Sequence, residues 1–250
     1  MGNYMRRFFI DPSELLKEKP VIEGQDAHHI TSVFRLKPGD QILLVDGTGF
    51  EYMARLVSLS KNQVFVAVME KYAVLTESPA KISVGQGYLK DKKMDMLIRH
   101  LTEIGITRWI PVLTEYAIPQ PFTKKNDARV ERWRSIAREA VKQCGRTLVP
   151  EIISPVSFAE AVKSNGDADL KIIFYENEAR PLDKTLSLKA APPSGILVLF
   201  GPEGGFSTKE VELAIAAGFV TASLGPRILR AETASIAACA LIQHIFGDMR

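Results

Sequence analysis

Two short stretches near the end of the chain combine residue types and spacing suited to chemistry. The first, Gly201-Pro202-Glu203-Gly204-Gly205-Phe206, follows the apolar run Ile196–Phe200. It leads into Ser207-Thr208-Lys209-Glu210, a capping box that opens a helix expected to run to Ala217 and stop at Gly218. The second, Gly225-Pro226-Arg227-Ile228-Leu229-Arg230, follows a strand expected at 219–224 and precedes a final helix beginning near Glu232. In each loop glycine permits close backbone approach or positive φ, and proline removes a donor and stiffens the turn. If the two strands are parallel, both loops leave carboxyl ends and share the crevice where open α/β sheets hold ligands. Such loops suit a flat heterocycle gripped by main-chain groups. They do not suit a triphosphate, because neither continues as G-x-x-x-x-G-K-[ST], and the Gly201 to Gly205 spacing departs from G-x-G-x-x-G. Two plain tight turns before capped helices would show the same glycines; the arginines and glutamate in the loops weigh against that reading.

The elements that must position these loops follow from periodicity. Residues up to about 72 read mostly as strand: Gln41–Val45 and Phe50–Leu59 are rich in β-branched and aromatic residues around an Asp46-Gly47 turn, and 63–69 alternates. Lys37-Pro38-Gly39-Asp40 marks a turn upstream. Short-turned strands of this kind suggest a small β-barrel or barrel-like sheet. A linker is expected over Thr76-Glu77-Ser78-Pro79, and beyond it strands alternate with helices. Residues 81–88, Arg108–Leu113, 172–175 and Ile196–Phe200 read as strands. Met94, Leu97, Ile98, Leu101 and Ile104 recur at helical spacing before Gly105, and Asn126–Cys144 reads as a long helix. This alternation argues an α/β domain with a parallel sheet. The expected division is 1–73 for the barrel and 74–250 for the α/β domain.

Bulk properties narrow the class. With 46% hydrophobic and 24% charged residues the 250-residue chain is an ordinary globular protein, and its net charge of +3 leaves any polyanion partner to a local patch. Cys144 and Cys239 read as reduced thiols. No metal site is expected, since only His28 and His29 are neighbours and adjacent strand residues face opposite ways. The absence of a signal-peptide pattern or a long apolar run leads to the expectation of a cytoplasmic protein without membrane association. Between Lys124 and Arg146 stand eight basic residues and three acidic ones. On a helical wheel Arg134, Arg138 and Lys142 lie a turn apart, away from the apolar side of Trp133, Ile136, Ala137, Ala140, Val141 and Cys144. A solvated helix face and a phosphate track both fit that pattern. Arg6, Arg7, Arg35 and Lys37 form the second candidate basic surface, with Arg146 joining the first.

Leu199-Phe200-Gly201-Pro202-Glu203-Gly204-Gly205-Phe206-Ser207 and the stretch from Leu224 to Ala234 resemble the two signature segments of the RsmE family. Arg7-Phe8-Phe9, the turn from Phe34 to Asp40, Thr102-Glu103-Ile104-Gly105 and Gln143-Cys144-Gly145-Arg146 fall in the family's order, so the resemblance covers nearly the whole chain. It departs at His100, where lysine is common, and at Lys142, where glutamate is common. The resemblance implies a PUA-like β-barrel followed by a SPOUT α/β domain with a C-terminal trefoil knot around S-adenosyl-L-methionine, and a homodimer. It further implies methylation of N3 of a uridine, conventionally numbered 1498, in 16S ribosomal RNA of the small subunit.

On this reading Leu199, Phe200, Gly201, Glu203, Gly204, Gly205, Leu224, Gly225, Pro226, Arg227, Ile228 and Leu229 bind the cofactor. The sulfonium makes its methyl electrophilic, so neither a protein nucleophile nor a metal is needed. The difficulty is the N3 proton. Glu232 or Glu203 could act as base; alternatively Arg230, with Arg227 behind it, could stabilise the uracil anion through O2 or O4. Arg230 could instead pair with Glu232 or anchor its loop. Two rivals remain: a ribose 2′-O-methyltransferase of the same superfamily, and a non-catalytic RNA-binding assembly protein.

Overall fold

Alternating apolar side chains and tight turns curl the first part of the chain into a sheet. The computed structural model describes residues 5–60, 62–74, 76–90, 92–117, 126–163, 168–176, 180–186 and 192–249. By internal contacts the chain divides into one unit of Met1–Glu77 with Arg138–Val149 and a second of Ser78–Ala137 with Pro150–Arg250. In the first unit, β1 (Arg7–Phe9), β2 (Val21–Glu23), β3 (Gln41–Val45), β4 (Phe50–Leu59) and β5 (Gln63–Ala73) form a curled sheet in the order β1-β3-β4-β5-β2. The β3–β4 turn is set by chemistry: Gly47 takes φ +80°, and Asp46 accepts from the Thr48 N–H at 2.8 Å and the Tyr52 hydroxyl at 2.9 Å. Phe8, Ile22, Ile30, Ile42, Leu44, Leu56 and Val64 fill the sheet's concave core. Each such side chain contributes about 1.5–3 kcal/mol by leaving water.

Between β2 and β3 the expected strand character gives way to α1 (Gly24–His28) and a π-helical turn, His29–Val33. His28 and His29 therefore stand on a helical turn and not on a strand. Adjacent residues of a helical turn point away from each other by about 100°, and their rings lie 6.5 Å apart. The returning segment is tied in by Glu77, whose carboxylate accepts from Arg146 and from the N–H groups of Thr147 and Leu148.

The second unit is a wholly parallel sheet. Its strands are β6 (Ile82–Gly87), β7 (Arg108–Leu113), β8 (Glu151–Ile152), β9 (Val156–Ser157), β10 (Leu170–Phe174), β11 (Ile196–Phe200) and β12 (Val220–Ala222). They run β12-β10-β11-β6-β7-β8, with β9 also on β7. The helices are α2 (Lys93–Ile104), α3 (Asn126–Cys144), α4 (Phe158–Lys163), α5 (Leu182–Leu186), α6 (Thr208–Ala216) and α7 (Ala231–Phe246). The last turns of α3, from Arg138, group with the first unit. β11 is buried at every position because helices cover both faces, the cause of its uninterrupted apolar run.

Helix ends obey local rules. α2 buries Met94, Leu97, Ile98 and Leu101 and stops at Gly105 with φ +100°. There the buried Gln243 of α7 donates to the Ile104 carbonyl at 2.9 Å, replacing a partner the helix end lacks. α6 starts on Ser207, and both halves of its capping box are formed. Chain order reverses at β6: β7 lies on one side, while β11, β10 and β12 lie on the other. Ligand crevices of open α/β sheets form at such a reversal, outside the carboxyl ends.

Candidate active site

A cavity of about 650 Å³ opens at those carboxyl ends. Three strand tips build it: Phe174, Tyr175 and Glu176 after β10, Phe200 to Gly205 after β11, and Ala222 to Arg230 after β12. The two glycine-bearing loops do not leave adjacent strands, because β10 lies between β11 and β12. That insertion widens the site and supplies a third wall. Phe174 and Phe200 stack at 4.7 Å between centroids and 8° between planes, giving the cavity a flat apolar floor.

Of the residues singled out by sequence, Phe200, Gly201, Glu203, Gly204, Gly205, Leu224, Gly225, Pro226, Arg227, Ile228 and Leu229 line the cavity, as does Arg230. Leu199 does not; it is 1% exposed and packs in the core beside Ile110 and Val112. Alternation along β11 turns it away from the site.

The first loop is held from several sides. Gln86, fully buried at the end of β6, donates to the carbonyls of Gly201 and Gly87 at 3.0 Å and accepts from the Ser235 hydroxyl at 2.6 Å. Glu210 accepts from the Ser207 N–H and the Glu115 N–H, both at 2.9 Å. The loop leaves no room for side chains: a Cβ on Gly205, at φ +71°, would meet the Glu176 carboxylate at 2.4 Å. Gln86 carried no sequence signal, since an amide at a strand end reads as ordinary until its partners are known.

Lys93, in the first turn of α2, also lines the cavity. Its ammonium lies 2.9 Å from Glu203 and 3.5 Å from Glu232. Burial pushes the Glu203 carboxyl up, but Lys93 and the N–H groups of Glu203 and Lys90 outweigh it and hold the group below the usual carboxylate range. The Glu203 carboxylate in turn raises Lys93. Lys93 lies outside both glycine-bearing motifs; its only mark in the sequence is a basic residue opening the helix after β6, at the same sheet edge as the loops. Glu232 thus faces Lys93 rather than Arg230, and its Oε2 is buried without a hydrogen bond of good geometry. Arg230 is the N-cap residue of α7, and both it and Arg227 are exposed with no partner among the described residues.

The candidate RNA-contacting residues divide. Arg6, Arg35, Lys37 and Arg138 are exposed, and the Arg6 guanidinium sits 3.9 Å from the Phe34 ring centre. Arg134 pairs with Glu131 and reaches the Ile152 carbonyl at 3.4 Å. Arg7 pairs with Glu51. Lys142 is 9% exposed and pairs with Asp26 at 2.7 Å and Glu139 at 2.6 Å. Arg146 is buried against Glu77. The charges of Arg7, Lys142 and Arg146 are therefore directed inward. Lys124 and Lys125 lie outside the described residues. Among the described residues no cluster of His, Cys, Asp and Glu suited to a metal comes together, and no helix is long and apolar enough to cross a membrane.

The chain thus carries a parallel α/β unit with a strand-end crevice and, as a separate unit, a curled β sheet, and the comparisons with known proteins define its class as an RNA methyltransferase. The sequence agrees: a family model described as an RNA methyltransferase domain matches residues 76–243, and one described as an RNA methyltransferase PUA domain matches residues 22–69. The ribosomal RNA small subunit methyltransferase E of Bacillus subtilis is 34% identical over 247 residues, covering 96% of each chain. The solved Neisseria gonorrhoeae protein of the same name, bound to S-adenosyl methionine, is 31% identical with a TM-score of 0.85, covering 99% of this chain and 100% of that one. A Legionella pneumophila methyltransferase solved with the same cofactor is 31% identical with a TM-score of 0.87, covering 98% and 99%. The chain belongs to the ribosomal RNA small subunit methyltransferase E family, as its two signature loops had indicated.

Proposed function

We propose that this chain transfers a methyl group from S-adenosyl-L-methionine to N3 of a uridine in 16S ribosomal RNA, at the family's position 1498. The observation that carries the reading is the cavity itself. Its volume of about 650 Å³ lies in the range of small-molecule sites. Glycine backbone, a stacked aromatic floor and the carboxylates of Glu176 and Glu203 form its walls, and Arg227 and Arg230, without a partner among the described residues, stand at its rim. Those features fit a cofactor with a flat heterocycle and an amino-acid tail. Gly201, Glu203, Gly204, Gly205 and the Leu224 to Leu229 stretch would hold it, and when bound it supplies an electrophilic methyl on sulfonium.

The protein's own task is the N3 proton and the charge left behind. Arg230, without a partner among the described residues, stabilises the uracil anion through O2 or O4. Glu232, with a buried and under-bonded oxygen beside Lys93, is the carboxylate available to take the proton. The β12 loop closes over the cofactor as part of a trefoil knot. Leu241 and Ile245, exposed one turn apart on α7, support a homodimer contact. Residues 1–73 form the PUA-like barrel that helps bind RNA through Arg6, Arg35 and Lys37, and 74–250 form the SPOUT domain. The setting is the cytoplasm.

The test is transfer from labelled cofactor to unmodified small subunits and to free 16S RNA, with the product identified by nucleoside mass spectrometry. 3-Methyluridine is expected. A ribose-methylated product would overturn the base assignment, and absence of both transfer and cofactor binding would overturn catalysis altogether.

A further inference from the structure

A second, smaller pocket of about 240 Å³ lies across the first turn of α2 from the cofactor cavity. Lys93 lines the large cavity, and the next two residues, Met94 and Asp95, line the small one. Its floor is apolar and aromatic: Tyr88 and Trp133 pack at 5.9 Å between centroids, and Tyr88, Leu89, Met94 and Trp133 are each no more than 3% exposed. Asp95 accepts from the Trp133 indole at 3.1 Å and from Arg132 at 2.8 Å. Its charge is thereby paired with Arg132.

Two polar groups in the pocket are incompletely satisfied by the protein. The Tyr88 hydroxyl is buried with no hydrogen bond of good geometry; its polar neighbour is the Arg129 guanidinium, itself a donor, so the hydroxyl proton has no acceptor. Burial raises its pKa, an effect the nearby Arg129 guanidinium partly offsets, so it stays a neutral donor at physiological pH. Arg129 itself forms no ion pair among the described residues. A buried hydroxyl without an acceptor costs free energy that a ligand acceptor would recover.

Flat apolar walls, a single buried donor and a guanidinium rim match one chemistry, a planar heterocycle carrying carbonyl acceptors and a phosphate. We propose that this pocket receives a nucleobase of the substrate RNA flanking the methylated uridine, splayed from the strand, with its phosphate at Arg129. The inference rests on the RNA methyltransferase reading and adds a subsite that sets which sequence is presented. Single-stranded RNA is read in this way, by bases stacked on aromatic side chains and bonded at their edges.

The test titrates the intact protein with a single-stranded RNA hexanucleotide spanning the target uridine. The Trp133 and Trp109 indole resonances are followed, distinguished by Trp133→Phe. Trp133 is expected to shift and Trp109 to stay. Tyr88→Phe is expected to weaken oligonucleotide affinity roughly fivefold, the loss of one neutral hydrogen bond, and Arg129→Gln on the order of tenfold. Cofactor affinity should hold in both. An unmoved Trp133 resonance at saturating RNA, or unchanged RNA affinity in both variants, would overturn the subsite. Wild-type methyl transfer is measured separately: transfer with no Trp133 response removes the subsite alone, whereas a Trp133 response without transfer removes the catalytic reading alone.

Discussion

The loop after β11 and the loop after β12 both open with Gly-Pro, both follow a parallel strand and both line one cavity, yet they are held very differently. The first is gripped by Gln86, by the Ser207–Glu210 box and by the Lys93–Glu203 pair. The second is tied at its base, where the Ser223 N–H donates to the Arg180 carbonyl at 2.8 Å and the Leu182 N–H to the Ser223 carbonyl at 3.0 Å. Beyond that the Ser223 hydroxyl donates to the Gly225 carbonyl and accepts from its N–H, both at 3.2 Å. The second loop carries Ile228 at 88% exposure and two exposed arginines without a partner among the described residues. The difference separates two tasks. A wall that must be in place before the cofactor arrives is built from buried, satisfied polar groups. In the proposed function the second loop meets cofactor and base, and its arginines are uncommitted among the described residues.

Changes in the second loop should cost function without stability. Arg230→Ala is expected to slow methyl transfer on the order of a hundredfold, the effect of removing one donor to a developing anion. Cofactor affinity by calorimetry and the urea midpoint should stay the same; equal losses in transfer and affinity would make Arg230 a cofactor anchor. Changes in the first loop's supports should do the reverse. Gln86→Leu removes the donor to two carbonyls, while the Ser235 hydroxyl keeps its bond to the Ala231 carbonyl, and should cost roughly 3 kcal/mol in urea unfolding. A stability loss confined to a few tenths would show that the loop does not depend on this amide.

Gly225→Ala comes next in size. Its φ of +106° strains any side chain, although nothing lies within 4 Å of the added carbon. The cost should be about 1–2 kcal/mol, read as a tenfold loss of cofactor affinity with transfer from bound cofactor preserved.

The smallest effect concerns Lys93. Glu203 lies below, and Lys93 above, its ordinary value. The carboxylate's contribution is therefore present above 4.5 and lost as pH falls through its depressed pKa. The ammonium's is present below 10.5 and lost as pH rises through its raised pKa. Lys93→Met should flatten the acid side of the stability profile, measured by urea unfolding across that range. Because both groups are partly solvated, the change should be modest. An unaltered profile would show that the pair does not help hold the first loop.

The elements with strong local chemistry were legible. The bounds of β3, β4, β7, β11 and α3 are those expected from alternation, turn glycines and helical spacing. The two- and three-residue strands β1, β2, β8 and β9, and the π-helical turn at His29–Val33, were not, because so few residues carry no period of their own. They exist through pairing with distant chain. The same holds for charge: Lys142 and Arg146 look like surface cations along a helix, and only folding sets Asp26 and Glu77 against them.

The sequence by itself determined the two loops, the class of strand and helix on either side and the family. Glycine, proline and capping residues act on their immediate neighbours, so their effect can be read in order along the chain. Only the tertiary structure decided that β10 would stand between β11 and β12 and complete the cavity. It alone placed Gln86 behind Gly201 across 115 residues of chain, and Lys93 beside Glu203 across 110. These contacts arise from the reversal of strand order at β6, a property of the whole sheet that no local window of sequence contains.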